Sequence, residues 1–422
     1  MKLVFHGGAR EVGRSCIEVA AAKKRLLLDC GLKLEPHDSV YPVGFDKYDD
    51  IDAVFITHAH LDHTGALPLM DHRGMSCPIF MTKTTKDLTR LILKDAFKVG
   101  KITHQHLGYK QADIRKVLEC IRNVVIDTKG SIDGVSFKYF DAGHIPGSAS
   151  VLLNVEGRSL LYTGDINTSD SLLLNGAETG FPEVDVMICE STYSNRDHPP
   201  RGRVEADFVD RIEQVIARGG KVIVPVFALG RSQEILLLLA RHKFKAPIYF
   251  DGMGVEATDI ALKNPADIAD PKALQKAMKG VRLVKSDKDR IAAIHGPSII
   301  VTTSGMLTGG PVMVYLKYLC ADPASAVLLT GYQAEETNGR LLIEKREVYI
   351  DGMRKTVACE VAQFDFSAHA GLAQLKELVR NAKPKKVFFV HGEEPSTLLL
   401  QEWAAALGMQ AFAPRLGESF DV

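Results

Sequence analysis

The run His58-Ala59-His60-Leu61-Asp62-His63 constrains this chain more than any other feature of its sequence. Three imidazoles and a carboxylate fall within six positions, directly after the apolar run from Ile51 to Ile56. A short apolar run reads as a buried strand, and side chains alternate along extended backbone. Alternation turns His58 and His60 to one side, while Asp62 and His63 fall on the following turn and reach a second point nearby. Nitrogen and carboxylate donors suit zinc, and two adjacent donor pairs suit two ions rather than one. Surface histidines beside a helix cap at Asp62 are the alternative; the density of donors argues against it.

A lone cluster cannot fill two coordination shells, so further donors are expected at strand ends. Val135 to Phe140 is followed by Asp141-Ala142-Gly143-His144, Arg158 to Thr163 by Gly164-Asp165, and Lys386 to Val390 by His391. Each reads as a buried strand ending on a potential ligand, and carboxyl ends of strands are where ligands gather in sheet-based folds. Any one of these residues alone reads equally as a turn residue. Together with the cluster they point to one metal centre.

These residues resemble the metallo-β-lactamase superfamily: Asp29 after Leu26-Leu27-Leu28, the His58 to His63 cluster, His144 in Gly-His-Ile-Pro-Gly-Ser, and Asp165 in Thr-Gly-Asp. The resemblance extends to its β-CASP branch of nucleic-acid processors. Glu190 in Cys-Glu-Ser-Thr-Tyr, His369 in Ser-Ala-His-Ala and His391 in Val-His-Gly-Glu match the three further motifs of that branch. The likeness is to archaeal and bacterial relatives of the eukaryotic polyadenylation endonuclease, which Glu11-Val12-Gly13-Arg14-Ser15-Cys16 also resembles. It implies an α/β fold, an αββα sandwich carrying an inserted α/β β-CASP domain. It implies two zinc ions per chain, one on His58, His60 and His144, the other on Asp62, His63 and His391, with Asp165 bridging. Asp29 would orient a ligand rather than bind metal. His369 would act as general acid and Glu190 would orient it; with Asp62 they form the catalytic set.

Length and order of apolar runs suggest two or three domains. The expected division is residues 1–193 and 355–422 as the metallo-β-lactamase domain, with 194–354 as the insertion, beginning at the polar stretch Ser194 to Arg201. Helices are expected over Thr85 to Val99 and Gln233 to Arg241.

Lysine plus arginine equals aspartate plus glutamate at 52 each, so no global basic field advertises a nucleic-acid coat protein. The seven cysteines contain no Cys-x-x-Cys, which disfavours both a disulfide framework and a thiolate zinc knuckle. Neither a signal peptide nor a bilayer-spanning run is apparent, so a cytoplasmic location is expected.

Four residues of the insertion are candidates for substrate contact. Ser304 and Gly305 lie in Thr302 to Gly310, a run that resembles a backbone cradle for an anion; such turns are also common without a ligand. Arg231 opens a helix in a recurrent β-CASP motif, to contact phosphate or to pack the domain. Tyr332 offers an aromatic face for stacking, or belongs to the core. His104 and His106, without a following aspartate, read as surface residues.

The resemblance implies a zinc-dependent ribonuclease that leaves 5′-phosphate and 3′-hydroxyl ends, as endonuclease, 5′-to-3′ exonuclease or both. RNA is the expected partner, with the chain acting as a homodimer or within an RNA-processing complex. A two-zinc hydrolase of a thioester or lactam is disfavoured by the Glu190 and His369 motifs. A DNA-acting β-CASP nuclease is disfavoured by His391, where DNA-repair members usually carry an apolar residue.

Overall fold

A computed structural model of the chain describes residues 1–35, 38–45, 48–105 and 107–422. The chain forms two compact units. The first comprises Met1–Asp170, Gly176–Asp197 and Ala368–Val422; the second comprises Ser171–Asn175 and His198–Ser367.

The first unit is built on two seven-stranded sheets. One runs in the order Ser419–Asp421, Lys2–Gly7, Cys16–Ala21, Lys24–Leu28, Ala53–Phe55, Ile79–Thr82 and Ile121–Val124. The other runs Gln410–Phe412, Lys386–Val390, Val186–Glu190, Arg158–Tyr162, Ala149–Val155, Val135–Asp141 and Lys129–Ile132. Strand periodicity separates their faces. Leu26, Leu28, Phe55, Val186, Ile188, Phe388 and Val390 share one core between the sheets. Their neighbours Leu27 and Val54 join a core with Leu67 and Met70 of the helix Leu67–His72. Met187, Cys189, Val387 and Phe389 join another with Leu375 and Leu378 of the helix Leu372–Ala382. Helix, sheet, sheet, helix is the αββα sandwich. Burying each such side chain contributes about 1.5–3 kcal/mol, so the three cores hold the strand ends firmly in place.

The second unit is a six-stranded, all-parallel sheet in the order Arg282–Leu283, Ile248–Asp251, Ser298–Thr302, Lys221–Pro225, Ala326–Leu329 and Glu360–Gln363. Val222 and Val224 face a core with the helix Arg231–Ala240, while Ile223 faces one with the helix Pro311–Leu319. Both faces are covered, as an all-parallel sheet requires.

The division differs from the expected 193/194 and 354/355 boundaries. Glu360–Gln363 pairs with Ala326–Leu329 and Phe366 is buried in the second unit's core, so the chain returns to the first unit only at Ala368. Residues 171–175 belong to the second unit because the backbone amides of Leu172 and Leu173 donate to Glu234. The long helix expected from Thr85 runs Lys83–Ile102, capped by the Thr82 hydroxyl, and the second runs Arg231–Ala240. His104 is exposed just beyond Lys83–Ile102; His106 lies outside the described residues. All seven cysteines are free, and Cys16, Cys30 and Cys189 are buried. Among the described residues, no helix is long and apolar enough to cross a membrane.

Candidate metal centre

Six strand ends of the first unit deliver the donors. Asp29 follows Lys24–Leu28, His58 follows Ala53–Phe55, His144 follows Val135–Asp141, and Asp165 follows Arg158–Tyr162. Glu190 ends Val186–Glu190, and His391 follows Lys386–Val390. The sheet stops at Phe55, so His60 reaches the site as the N-cap of the one-turn helix Leu61–Thr64 rather than by strand alternation; Asp62 and His63 lie on that helix. Asp29 and His391 take the left-handed conformation, at φ 58° and 52°. That costs roughly 1–2 kcal/mol each in an L-residue, and it turns the chain sharply where the side chain must enter the site.

Ligand atoms of His58, His60, His144 and Asp165 all lie within 4.8 Å of one another, as do those of Asp62, His63 and His391. His60 Nδ1 is 3.1 Å from His58 Nε2 and 3.2 Å from His144 Nε2. Asp165 has an oxygen for each group. Its Oδ2 lies 3.5 Å from His58 Nε2 and 3.7 Å from His144 Nε2, while Oδ1 lies 3.4 Å from His63 Nε2 and 3.1 Å from His391 Nδ1. Asp62 Oδ2 is 3.2 Å from His391 Nε2.

Surrounding groups fix which nitrogen points inward. His63 Nδ1 is 2.6 Å from Asp29 Oδ2, leaving Nε2 for the site. Asp29 is fully buried and accepts from Thr57 N, Thr57 Oγ1 and Tyr162 Oη at 2.8, 2.8 and 2.9 Å. His144 Nδ1 donates to the Ala368 carbonyl at 2.7 Å. A carboxylate or carbonyl behind a ligating imidazole sets its tautomer and ring angle.

Electrostatics suit a cation. Burial pushes His58 and His144 well below the usual histidine range, and takes His60 down to about 4 against the pull of Asp62 and Asp165. Those imidazoles are neutral near pH 7, the form a metal takes. Burial works against charge on the other members too, but attraction overrides it. Asp165 lies well below the carboxylate range beside His391 and His63; Asp62 is likewise lowered, and His63 and His391 are raised. This pocket draws positive charge to its carboxylates, through protons on those two imidazoles when no ion is there. Asp165 Oδ1 is buried and, among the described residues, faces His63 and His391 without a well-aligned hydrogen bond. Convergent imidazoles, those of His58, His60 and His144 neutral, around a shared buried carboxylate fit zinc.

His369 stands beside these donors. Its Nδ1 is 3.0 and 3.1 Å from the two oxygens of Glu190, and its ring centroid is 4.6 Å from that of His144. Glu190 is fully buried and accepts from Ile166 N at 2.8 Å. Burial would depress the His369 pKa, yet the adjacent Glu190 carboxylate carries it up to about 9. Asp165, Glu190 and His369 also satisfy the spacing of a metal group.

The candidate substrate residues belong to the second unit. Arg231 opens the helix Arg231–Ala240 and is half-buried. The Ser304 hydroxyl accepts from Thr308 N at 3.1 Å and donates to Gly309 O at 3.2 Å, which closes its loop on itself. A Cβ on Gly305 would lie 3.0 Å from Phe227 N, so close backbone packing accounts for that glycine. Tyr332 is exposed rather than core.

Sequence reasoning missed Thr57, Tyr162 and the Ala368 carbonyl. Thr57 adjoins the cluster and Tyr162 lies three positions before Asp165, which is the only signal the sequence offers for them. A backbone carbonyl leaves none.

Three family models match: "Beta-Casp domain" over residues 232–342, "Zn-dependent metallo-hydrolase RNA specificity domain" over 354–414, and "Anti-Pycsar protein Apyc1" over 14–193. The chain is 41% identical to Probable RNase MJ4 of Methanocaldococcus jannaschii, over the full length of both. It is 32% identical to Cleavage and polyadenylation specificity factor 73 of Drosophila melanogaster, over 92% of this chain and 59% of that protein. A solved structure from Enterococcus faecalis, of a protein of unknown function, matches 99% of both chains with a TM-score of 0.61 at 14% identity, a likeness of fold alone. With full-length identity at that level and the β-CASP match on the inserted unit, this chain belongs to the β-CASP branch of the metallo-β-lactamase superfamily.

Proposed function

We propose that this chain is a zinc-dependent ribonuclease holding two zinc ions and hydrolysing RNA phosphodiester bonds to 5′-phosphate and 3′-hydroxyl ends. The observation that carries this reading is Asp165, whose two oxygens face different donor groups, with the Glu190–His369 pair alongside. Relatives named as a ribonuclease and as a polyadenylation factor support RNA as the polymer.

His58, His60 and His144 would hold one ion, Asp62, His63 and His391 the other, and Asp165 both. When bound, two zinc ions supply an acidified water for attack and neutralise charge on the phosphate oxygens. The chain's own residues do the rest. Asp29 and Ala368 keep their imidazoles in the ligating tautomer. In-line attack at phosphorus breaks the bond to the 3′-oxygen, which leaves as a poor anion unless protonated. Glu190 grips Nδ1 of His369, so Nε2 is the atom from which that proton passes. The β-CASP match over residues 232–342 counts against a small-substrate hydrolase.

Metal analysis of zinc-replete wild type and Asp165→Ala, with mass spectrometry of products from a short RNA, tests the reading. Two ions in the wild type, fewer in the variant, and 5′-phosphate ends are expected. A fully active protein holding one ion, or persistent 2′,3′-cyclic phosphate, would overturn it. Circular RNA separates the modes: a strand without ends is cut only by an endonuclease.

A further inference from the structure

Tyr193 and Arg196 lie on the turn that follows Val186–Glu190, and the ribonuclease reading leaves them without a task. Tyr193 is half-buried, and its ring centroid is 6.0 Å from that of His369, at an interplanar angle of 57°. The Arg196 guanidinium lies over the same ring, 5.0 Å from its centroid, and Arg196 is exposed.

The turn is held firmly. Tyr193 forms a β-bridge with Gly371, two residues beyond His369. Ser194 Oγ, fully buried, donates to Ser191 O and Ser396 O at 3.0 and 2.5 Å. Leu372 N donates to Arg196 O at 3.0 Å, and Asp197 Oδ1 accepts from Ala373 N at 2.7 Å. The backbone that carries the ring and its cation is therefore fixed to the segment that carries His369.

We infer that Tyr193 and Arg196 form a stacking step for the base of the nucleotide 5′ to the scissile phosphate, the one that departs with the 3′-hydroxyl. This rests on the ribonuclease reading. The geometry follows from the proton's destination. His369 must reach the 3′-oxygen of that nucleotide, so its base lies within one nucleotide's breadth of the imidazole, where the tyrosine ring and guanidinium stand. Both planes stack on any base, so the step selects for the presence of a base rather than its identity. Tyr193 and Arg196 are positioning residues, acting through the placement of the 3′-oxygen against His369.

The test compares two short RNAs, one intact and one with an abasic ribose 5′ to a single chosen phosphate, with cutting at that phosphate read by mass. Wild type is expected to lose roughly 5- to 150-fold in kcat/KM on removal of the base, the range of one base–aromatic contact. Tyr193→Ala should cut both RNAs at similar, reduced rates, and Tyr193→Phe should keep the dependence on the base. Arg196→Ala, at an exposed position, should weaken that dependence, and it decides the matter if Tyr193→Ala fails to fold. A wild type indifferent to base removal, or variants Tyr193→Ala and Arg196→Ala as base-dependent as wild type, would overturn the inference. Absence of wild-type cutting of intact RNA would instead overturn the ribonuclease reading.

Discussion

At the scale of single residues, the His369–Glu190 pair separates chemistry from metal binding. His369→Ala leaves all seven proposed ligands in place, so zinc content is expected to hold while the rate falls on the order of 10² to 10⁴ for want of a proton donor. Loss of zinc in that variant would make His369 a ligand, a role its spacing to Asp165 and Glu190 permits. Glu190→Gln makes a finer point. Burial, the largest single influence, lowers the His369 pKa, and Glu190, aided by Asp165 and Asp62, raises it to about 9. A general acid works while protonated, so activity falls as pH rises through that pKa. Nearby zinc ions lower it, by like-charge repulsion, in every variant alike. Replacing the carboxylate with an amide removes the main raising influence, so the alkaline limb of kcat against pH should move to lower pH. An unmoved limb would mean that another group sets it.

At the scale of elements, the metal-binding turn is formed by contact among three backbone segments. Cys30 N donates to His63 O at 2.8 Å, Leu32 N to Leu61 O at 3.0 Å, and Ser15 N to Asp62 O at 2.7 Å. Gly31 sits in that seam, where a Cβ would lie 1.7 Å from Asp62 O and 2.7 Å from His63 N. Gly31→Ala must therefore push the helix Leu61–Thr64 away, at a cost of about 1–3 kcal/mol, and move two ligands with it. Reduced zinc occupancy and a lower melting temperature are expected, against a control of Gly180→Ala, where a Cβ meets nothing within 4 Å. Equal zinc content in the two variants would show that the seam tolerates the shift. The donors at these strand ends were legible because histidine and aspartate stand out after apolar runs such as Lys386–Val390. Gly31 was not, since its necessity comes from a segment thirty residues away. The Thr57–Asp29–Tyr162 contacts were hidden for the same reason: three elements converge there, and each reads alone as an ordinary strand end.

For the whole molecule, the αββα sandwich with its inserted α/β domain was legible only through the family resemblance, and neither the all-parallel order of the inserted sheet nor the return point at Ala368 was legible at all. Glu360–Gln363 is a short, half-exposed strand at the edge of its sheet, with no apolar run to mark it. The proposed ligands all belong to the first unit and none to the second, whose cores contain residues of its own only. An ion bound only by the folded first unit stabilises that unit by mass action, about 4 kcal/mol at a thousandfold excess over Kd. Its removal leaves Asp62 and Asp165 near each other, with protons on His63 and His391 as the available countercharge. Hydrogen exchange should record this locally. On chelation, amides of residues 53–64, 141–148 and 386–392 should lose protection, and in Asp165→Ala chelation should change them less. The strands Lys221–Pro225 and Ser298–Thr302 of the second unit should exchange as before. Loss of protection spread evenly over both sheets of the first unit and that of the second would mean that zinc governs global folding, and would remove the basis for a site built on a scaffold that stands without it.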